Sequence, residues 1–208
     1  MQQRRMLPGL ALVLAAVTLP AAPAAGHDHP HHGGHGTDRA AHEPAARPHG
    51  TPRNDPAHGD RERDLATARA ATKKFRSEKA AIAAGYHRTE ICASSPMGGM
   101  GYHYVNPAHI GSTDPAKPAA VLYEPGPDGT RRLVAIEYLV NDKDADLETD
   151  QDRPRMFGQD FQGPMPGHEP NMPVHYDLHV WLYKKNPKGL FAEWNPRVHC
   201  PEGSGTPH

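Results

Sequence analysis

The sequence predicts an α+β protein in which one long N-terminal helix packs on a small, mostly antiparallel sheet. An early segment has apolar residues at three- and four-residue steps, and several short β-type segments with Gly/Pro turns follow it. The chain of 208 residues has 23 Pro, 20 Gly and only 37% hydrophobic residues, which indicates that part of it lies outside the folded core. We expect one domain over residues 60–201 and a loose tail at 202–208.

Residues 1–25 have the pattern of a secretory signal peptide. Arg4 and Arg5 precede an apolar run at residues 10–19, and small residues follow that run. The run is shorter than a bilayer-spanning helix requires, which argues against the alternative of a membrane anchor. We therefore expect an exported protein, secreted or periplasmic, with no membrane span in its mature form.

Residues 26–59 are predicted to form a disordered arm rich in His and Pro. The arm holds eight of the 16 histidines but no aromatic or large aliphatic residue, so it buries too little apolar surface to offset chain entropy. Cleavage after Gly26 would start the mature chain with His27-Asp28-His29, where a free amine and a third-position His suit Cu(II) or Ni(II). Cleavage after Ala25 is an alternative. Imidazoles on a flexible arm would also bind Zn(II) loosely, whereas the simpler interpretation is compositional bias in a linker.

The helix prediction covers residues 60–85. Alanine fills many positions there and favours helix, and Gly85 is a natural C-terminal stop. The stripe that defines the helix consists of Leu65, Ala68, Thr72, Phe75, Lys79 and Ile82, and Lys79 interrupts its apolar character.

Short β-type segments follow the helix. A Gly- and Met-containing stretch at 94–101 is expected to be a flexible loop, and residues 125–129 are expected to turn between two strands of a hairpin. We predict strands at residues 89–92, 102–105, 119–124, 132–140 and 174–183.

An acidic stretch lies between the hairpin and the last strand. Its carboxylates alternate strictly, but Leu147 stands where an EF-hand needs Gly, and Arg153 stands where the closing Glu belongs. We interpret the stretch as a solvated loop and not as a calcium site. Its acidic residues are Asp142, Asp144, Asp146, Glu148, Asp150 and Asp152.

Cys92 and Cys200 are the only cysteines. In an exported protein they are expected to form a disulfide. Such a bond would stabilise the fold by about 4–5 kcal/mol in the chain-entropy model. The alternative, a pair of copper or zinc thiolates, lacks C-x-x-C spacing.

The last predicted strand carries the strongest functional signal. One of its faces holds His175, Asp177 and His179, whereas Tyr176, Leu178 and Val180 point the other way. Because His175 and His179 would stand about 13 Å apart on a strand, a single ion would have to use Asp177 with one of them. His103 and Glu137, on other predicted strands, are the expected additional ligands.

Three interpretations of these five residues remain open. A His/carboxylate set suits zinc, iron or copper. The same residues can instead be hydrogen-bonded core groups, or a metal-free acid–base pair. Methionines in nearby loops are either soft ligands for Cu(I) or fillers of irregular gaps. They are Met97, Met100, Met165 and Met172.

Several segments together resemble a group of exported bacterial proteins without an assigned activity. The resemblance lies in residues 100–106, 122–125, 134–138 and 164–196, including His-Tyr-Asp-Leu-His-Val-Trp and Trp-Asn-Pro. It implies a secreted bacterial protein, and it carries over no reaction, ligand or catalytic residue.

The remaining features exclude some classes of function. The net charge of −1 gives no general attraction to nucleic acid or membranes. No phosphate-binding Gly loop, dinucleotide fingerprint or nucleophile elbow appears in the sequence, so we expect no nucleotide cofactor. The leading hypothesis is an exported protein that buffers, carries or senses copper or zinc. The alternatives are a small secreted enzyme, metal-dependent or acid–base, and a structural or interaction domain without metal; the sequence names no protein partner.

Overall fold

The computed structural model describes residues 56–168 and 171–205. The predicted signal peptide and all but the last four residues of the His-rich arm lie outside those ranges, as do His27 and His29. In the described part of the chain, no helix has the length and apolarity needed to cross a membrane.

The helical region is divided where the sequence predicts one long helix. Helix α1 spans Pro56–Thr72, a 3-10 turn spans Lys73–Arg76, and α2 spans Glu78–Ala83. The hydroxyl of Tyr123 donates to the carbonyl of Phe75 at 2.6 Å. In a continuous α-helix that carbonyl would accept from the amide four residues later. The break thus lets the Phe75 ring enter the core and its carbonyl bond to the sheet.

Eight strands follow the helices in the described part of the chain. They are β1 His87–Ser95, β2 Gly98–Val105, β3 Ala120–Pro125, β4 Arg131–Asn141, β5 Arg155–Met156, β6 Gln159–Asp160, β7 Gln162–Met165 and β8 His175–Val180. Six of them form one sheet in the order β1-β2-β3-β4-β8-β7, in which every neighbouring pair is antiparallel, and β5 and β6 form a separate two-stranded sheet. The mixture of helix and antiparallel sheet confirms the predicted α+β class.

The larger sheet separates two hydrophobic clusters. Alternate strand residues pack against the helices, and the largest of these are the buried rings of Tyr104, Tyr123, Tyr138 and Tyr176. A smaller cluster includes Leu122, Ala135, Trp181 and Val198. Because adjacent strand residues point to opposite faces, the polar residues of β8 lie on the face turned away from the tyrosines.

The expected loop at residues 94–101 is wrong, because most of this stretch belongs to the β1–β2 hairpin. Gly98 and Gly99 belong to the stretch expected to be a flexible loop, but in the structure they allow a close approach of backbone. A Cβ on Gly98 would overlap the backbone of Asn195, and one on Gly99 would lie 2.8 Å from the carbonyl oxygen of Val198. These glycines therefore let the C-terminal segment pack on β2.

The disulfide between Cys92 and Cys200 is confirmed, with 5.7 Å between their Cα atoms. It joins β1 to the same C-terminal segment. The acidic loop bonds largely to itself: the side chains of Asp142, Asp144 and Asp146 each accept from the backbone amide two residues later. This pattern of successive Asx turns accords with a solvated loop.

Candidate metal centre

His103, Glu137 and His179 converge from three strands of the sheet. His103 Nε2 lies 3.4 Å from Glu137 Oε2, and His179 Nε2 lies 3.7 Å from Glu137 Oε1. One potential ligand atom from each of the three residues lies within 4.8 Å of the others. The group therefore offers two imidazoles and a carboxylate around one point.

The register of the sheet produces this convergence. Glu137 of β4 is directly opposite His179 of β8, and Ala120 of β3 is directly opposite Glu137 on the other side. His103 comes from β2, which is separated from β4 by β3. On β3, His103 is opposite Leu122, two residues from Ala120, so the side chains of His103 and Glu137 meet diagonally across β3.

Three polar atoms of the group are buried without hydrogen bonds. Glu137 and His179 are 3% and 0% exposed, and His103 is partly buried. Glu137 Oε2 and both ring nitrogens of His179 have no hydrogen-bond partner among the described residues. Each such buried group costs about 1–3 kcal/mol, and its presence in a fold calls for an explanation such as a bound ion.

Neighbouring groups orient the two imidazoles. Asp177 Oδ1 lies 3.6 Å from His179 Nδ1, just beyond hydrogen-bond distance, on the side away from Glu137. His103 forms a hydrogen bond with the backbone of Gly101. Carboxylates and carbonyls beside the second ring nitrogen are the usual surroundings of a metal-binding histidine. Asp177 therefore lies beside the Nδ1 atom of His179, where it can orient the ring, and it is not one of the three potential ligands.

The pKa values of the two histidines are shifted in opposite directions. Burial, helped by nearby His179, lowers the pKa of His103 to about 3, so its imidazole is neutral. Burial also acts to lower the pKa of His179, but Glu137 and Asp177 outweigh it and raise this pKa to about 9. Burial raises the pKa of Glu137 to about 7, against the opposing effect of His179. A metal ion that replaced the proton on His179 would be attracted by the same two carboxylates, those of Glu137 and Asp177.

A cavity of about 490 Å³ lies beside the three residues, and all three line it. Most of its wall is apolar. Ile91, Val105, Leu139, Met165, Met172 and Trp194 contribute to the lining. The convergent group thus lies on the wall of a space large enough for a small molecule, because ligand pockets measure about 300–1,000 Å³.

No family model, no curated protein and no solved structure matches this chain. Function is therefore inferred from the chemistry of the three side chains and of the cavity beside them.

The structure separates His175 from the group that contains His179. His175 is opposite Asn141 of β4 and Met165 of β7, and its ring contacts the ring of His168 with centroids 5.1 Å apart. Among the five residues singled out on predicted strands, three come together, Asp177 lies beside one of them, and His175 lies elsewhere in the cavity. The methionine set is also divided, since Met100, Met165 and Met172 line the cavity whereas Met97 is 62% exposed.

Two further residues of the cavity, His168 and Glu193, were not singled out from sequence. Glu193 is carried by a loop that folds back on Trp181, whose indole donates to the carbonyl of Ala192 at 2.6 Å. Burial raises the pKa of Glu193, and nearby Asp177 adds to the effect. No local pattern marks Glu193, whereas the position of His168 in a Gly/Pro-rich turn beside the His strand was the available signal.

Proposed function

We propose that this is an exported metal-binding protein whose folded domain holds a zinc or copper ion at His103, Glu137 and His179. The observation that carries the proposal is the convergence of three potential ligands that include buried atoms without hydrogen bonds. The predicted export rests on the sequence pattern of residues 1–25, and the disulfide is compatible with it.

The interatomic distances suit a small tetrahedral ion. Ligand atoms at about 2.0–2.1 Å from tetrahedral zinc are roughly 3.4 Å from one another. The separations from the two imidazoles to Glu137, each to a different carboxylate oxygen, are 3.4 and 3.7 Å. One ligand atom from each residue lies within 4.8 Å of the others, so the side chains would move closer together to complete the shell. Two histidines and one carboxylate form a set that zinc accepts, and copper also binds imidazole.

The cavity favours a second candidate function, a metal-dependent enzyme. Three protein ligands would leave one position of a tetrahedral ion for water or substrate, as in catalytic zinc sites. An ion there would supply Lewis acidity to a molecule bound in the cavity. Glu193, whose pKa is raised by burial, lines the same space and is the available acid–base group.

The His-rich arm has a proposed role in capturing metal and delivering it to the folded domain. Its eight histidines would bind loosely if the arm is disordered as the sequence predicts, because a disordered chain loses entropy when several imidazoles close on one ion. The buried three-residue centre is preorganised by the sheet and would hold the ion more tightly.

Metal titration of the mature full-length chain tests the proposal. To separate arm from domain, all eight arm histidines are replaced by Ser without shortening the chain. We expect this variant to bind one tight equivalent of zinc, or of copper offered as Cu(II), and His103→Ala or His179→Ala to abolish it. His87→Ala, at an exposed histidine of β1, is the matched control and should bind normally. Tight binding retained in both site variants, or absent from the parent, would refute the proposal.

A further inference from the structure

We propose that the cavity holds a second, softer metal site that takes Cu(I) and consists of His175, Met165 and Met172, with His168 completing it. The site goes beyond the proposed function, because it uses none of the three residues of the first centre. His175 and His179 are four residues apart on β8, about 13 Å along an extended strand, so the two sites would be distinct.

His175 provides the main observation. It is 0% exposed, and its Nδ1–H donates to the carbonyl of Pro173 at 3.1 Å. Because that carbonyl can only accept, Nδ1 carries the hydrogen, and Nε2 is the ring nitrogen left to bind an ion. Nε2 has no hydrogen-bond partner in the described part of the chain. A buried imidazole with Nδ1 bound to a carbonyl and Nε2 left without a partner is the arrangement that proteins use for a metal ligand.

Soft and nitrogen donors surround this ring. Met165 of β7 is the direct cross-strand partner of His175, and the exposed ring of His168 contacts it edge-on, with centroids 5.1 Å apart. Met172 lies one residue before the carbonyl that holds His175, and a Cβ on Gly167 would overlap the Met172 carbonyl. The loop is therefore closed tightly enough to bring Met172 beside His168, and all four side chains line the cavity.

The donor chemistry selects the ion. Thioethers with imidazoles are soft ligands that favour Cu(I), whereas zinc sites use thiolate, imidazole and carboxylate. The four proposed ligands include no carboxylate, unlike the centre at Glu137.

A competition titration tests the site in the mature full-length chain with its arm histidines replaced by Ser. Cu(I) is held by bicinchoninate under anaerobic ascorbate, and Ag(I) serves as a redox-inert probe in parallel. We expect one equivalent of Cu(I) bound with sulfur scatterers in its X-ray absorption spectrum. The Met165→Leu/Met172→Leu pair and His175→Ala should each weaken binding at least tenfold, whereas Met97→Leu, at an exposed methionine, should leave it unchanged.

The two metal sites can fail independently. Each variant that loses Cu(I) should still take up zinc at His179, which shows that it is folded. His179→Ala should lose zinc and retain Cu(I). The inference is overturned by absence of Cu(I) binding, by a spectrum without sulfur, or by Cu(I) that survives the His175 and Met changes. Cu(I) lost only with His179→Ala would place copper in the first centre and also overturn it.

Discussion

Glu137 of β4 and His179 of β8 are direct cross-strand partners, and His179 Nε2 lies 3.7 Å from Glu137 Oε1. This pairing places a carboxylate and an imidazole side by side in a buried position. The negative charge of Glu137 there favours a positive charge on His179 or on a bound ion. Asp177 adds a second carboxylate on the other side of the His179 ring. The first three predictions below follow from this buried charge and from the space around it, and the fourth concerns the disulfide.

Metal should stabilise the fold through the site and not through the surface. With zinc at about 100 times its dissociation constant, the free energy of unfolding should rise by about 2.7 kcal/mol. In the chain with arm histidines replaced, thermal unfolding with and without zinc measures the gain. His179→Ala should remove the gain, whereas His87→Ala should keep it. An equal zinc-dependent rise in the free energy of unfolding in both variants would show that the stabilising metal binds to other residues.

Metal binding should release protons, and its affinity should fall as pH falls. His179, with a pKa raised to about 9, carries a proton at pH 7 that an ion must displace. Between pH 8 and pH 7 we expect affinity to drop about tenfold per pH unit for the proton displaced from His179. Below pH 7 the drop should become steeper, because Glu137, with a pKa raised to about 7, also takes up a proton that the ion must displace. Calorimetry in buffers of different ionisation enthalpy counts the protons released. Binding at pH 7 without proton release would contradict the assignment of His179 as a ligand.

Enlarging Ala120 should weaken the metal centre. A larger side chain would occupy the space above β3 in which His103 and Glu137 meet, so Ala120→Val should reduce zinc affinity at least tenfold. It should also lower the free energy of unfolding by about 1–3 kcal/mol through overpacking. Ala116→Val, at an exposed alanine, is the control and should change neither quantity measurably. Unchanged zinc affinity in Ala120→Val would show that this space is not needed.

Removing the disulfide should destabilise the domain strongly. Cys92 and Cys200 are 108 residues apart, and closing so long a loop is worth about 4–5 kcal/mol in the chain-entropy model. Urea unfolding of the Cys92→Ser/Cys200→Ser double variant measures the loss. The reduced native chain provides the matched comparison, since it keeps both sulfurs. A loss below about 1 kcal/mol would show that packing of the C-terminal segment on β2 suffices without the bond.

The sequence predicted correctly those features that depend only on residues close together in the chain. The alternation along β8 indicated that His175, Asp177 and His179 share a face, and the Gly/Pro turn indicated the β3–β4 hairpin. It failed at residues 94–101, because a glycine that turns the chain and a glycine that admits another backbone have the same local pattern.

The sequence by itself determined the α+β class, the pairing of the cysteines and the list of chemically useful side chains, because these follow from composition and from the two-residue period of a strand. Only the tertiary structure decided that His103 and Glu137 join His179 and that His175 does not. That outcome depends on the register between strands that are distant in the sequence. Register is set by packing of the whole sheet, and no local stretch of sequence contains it.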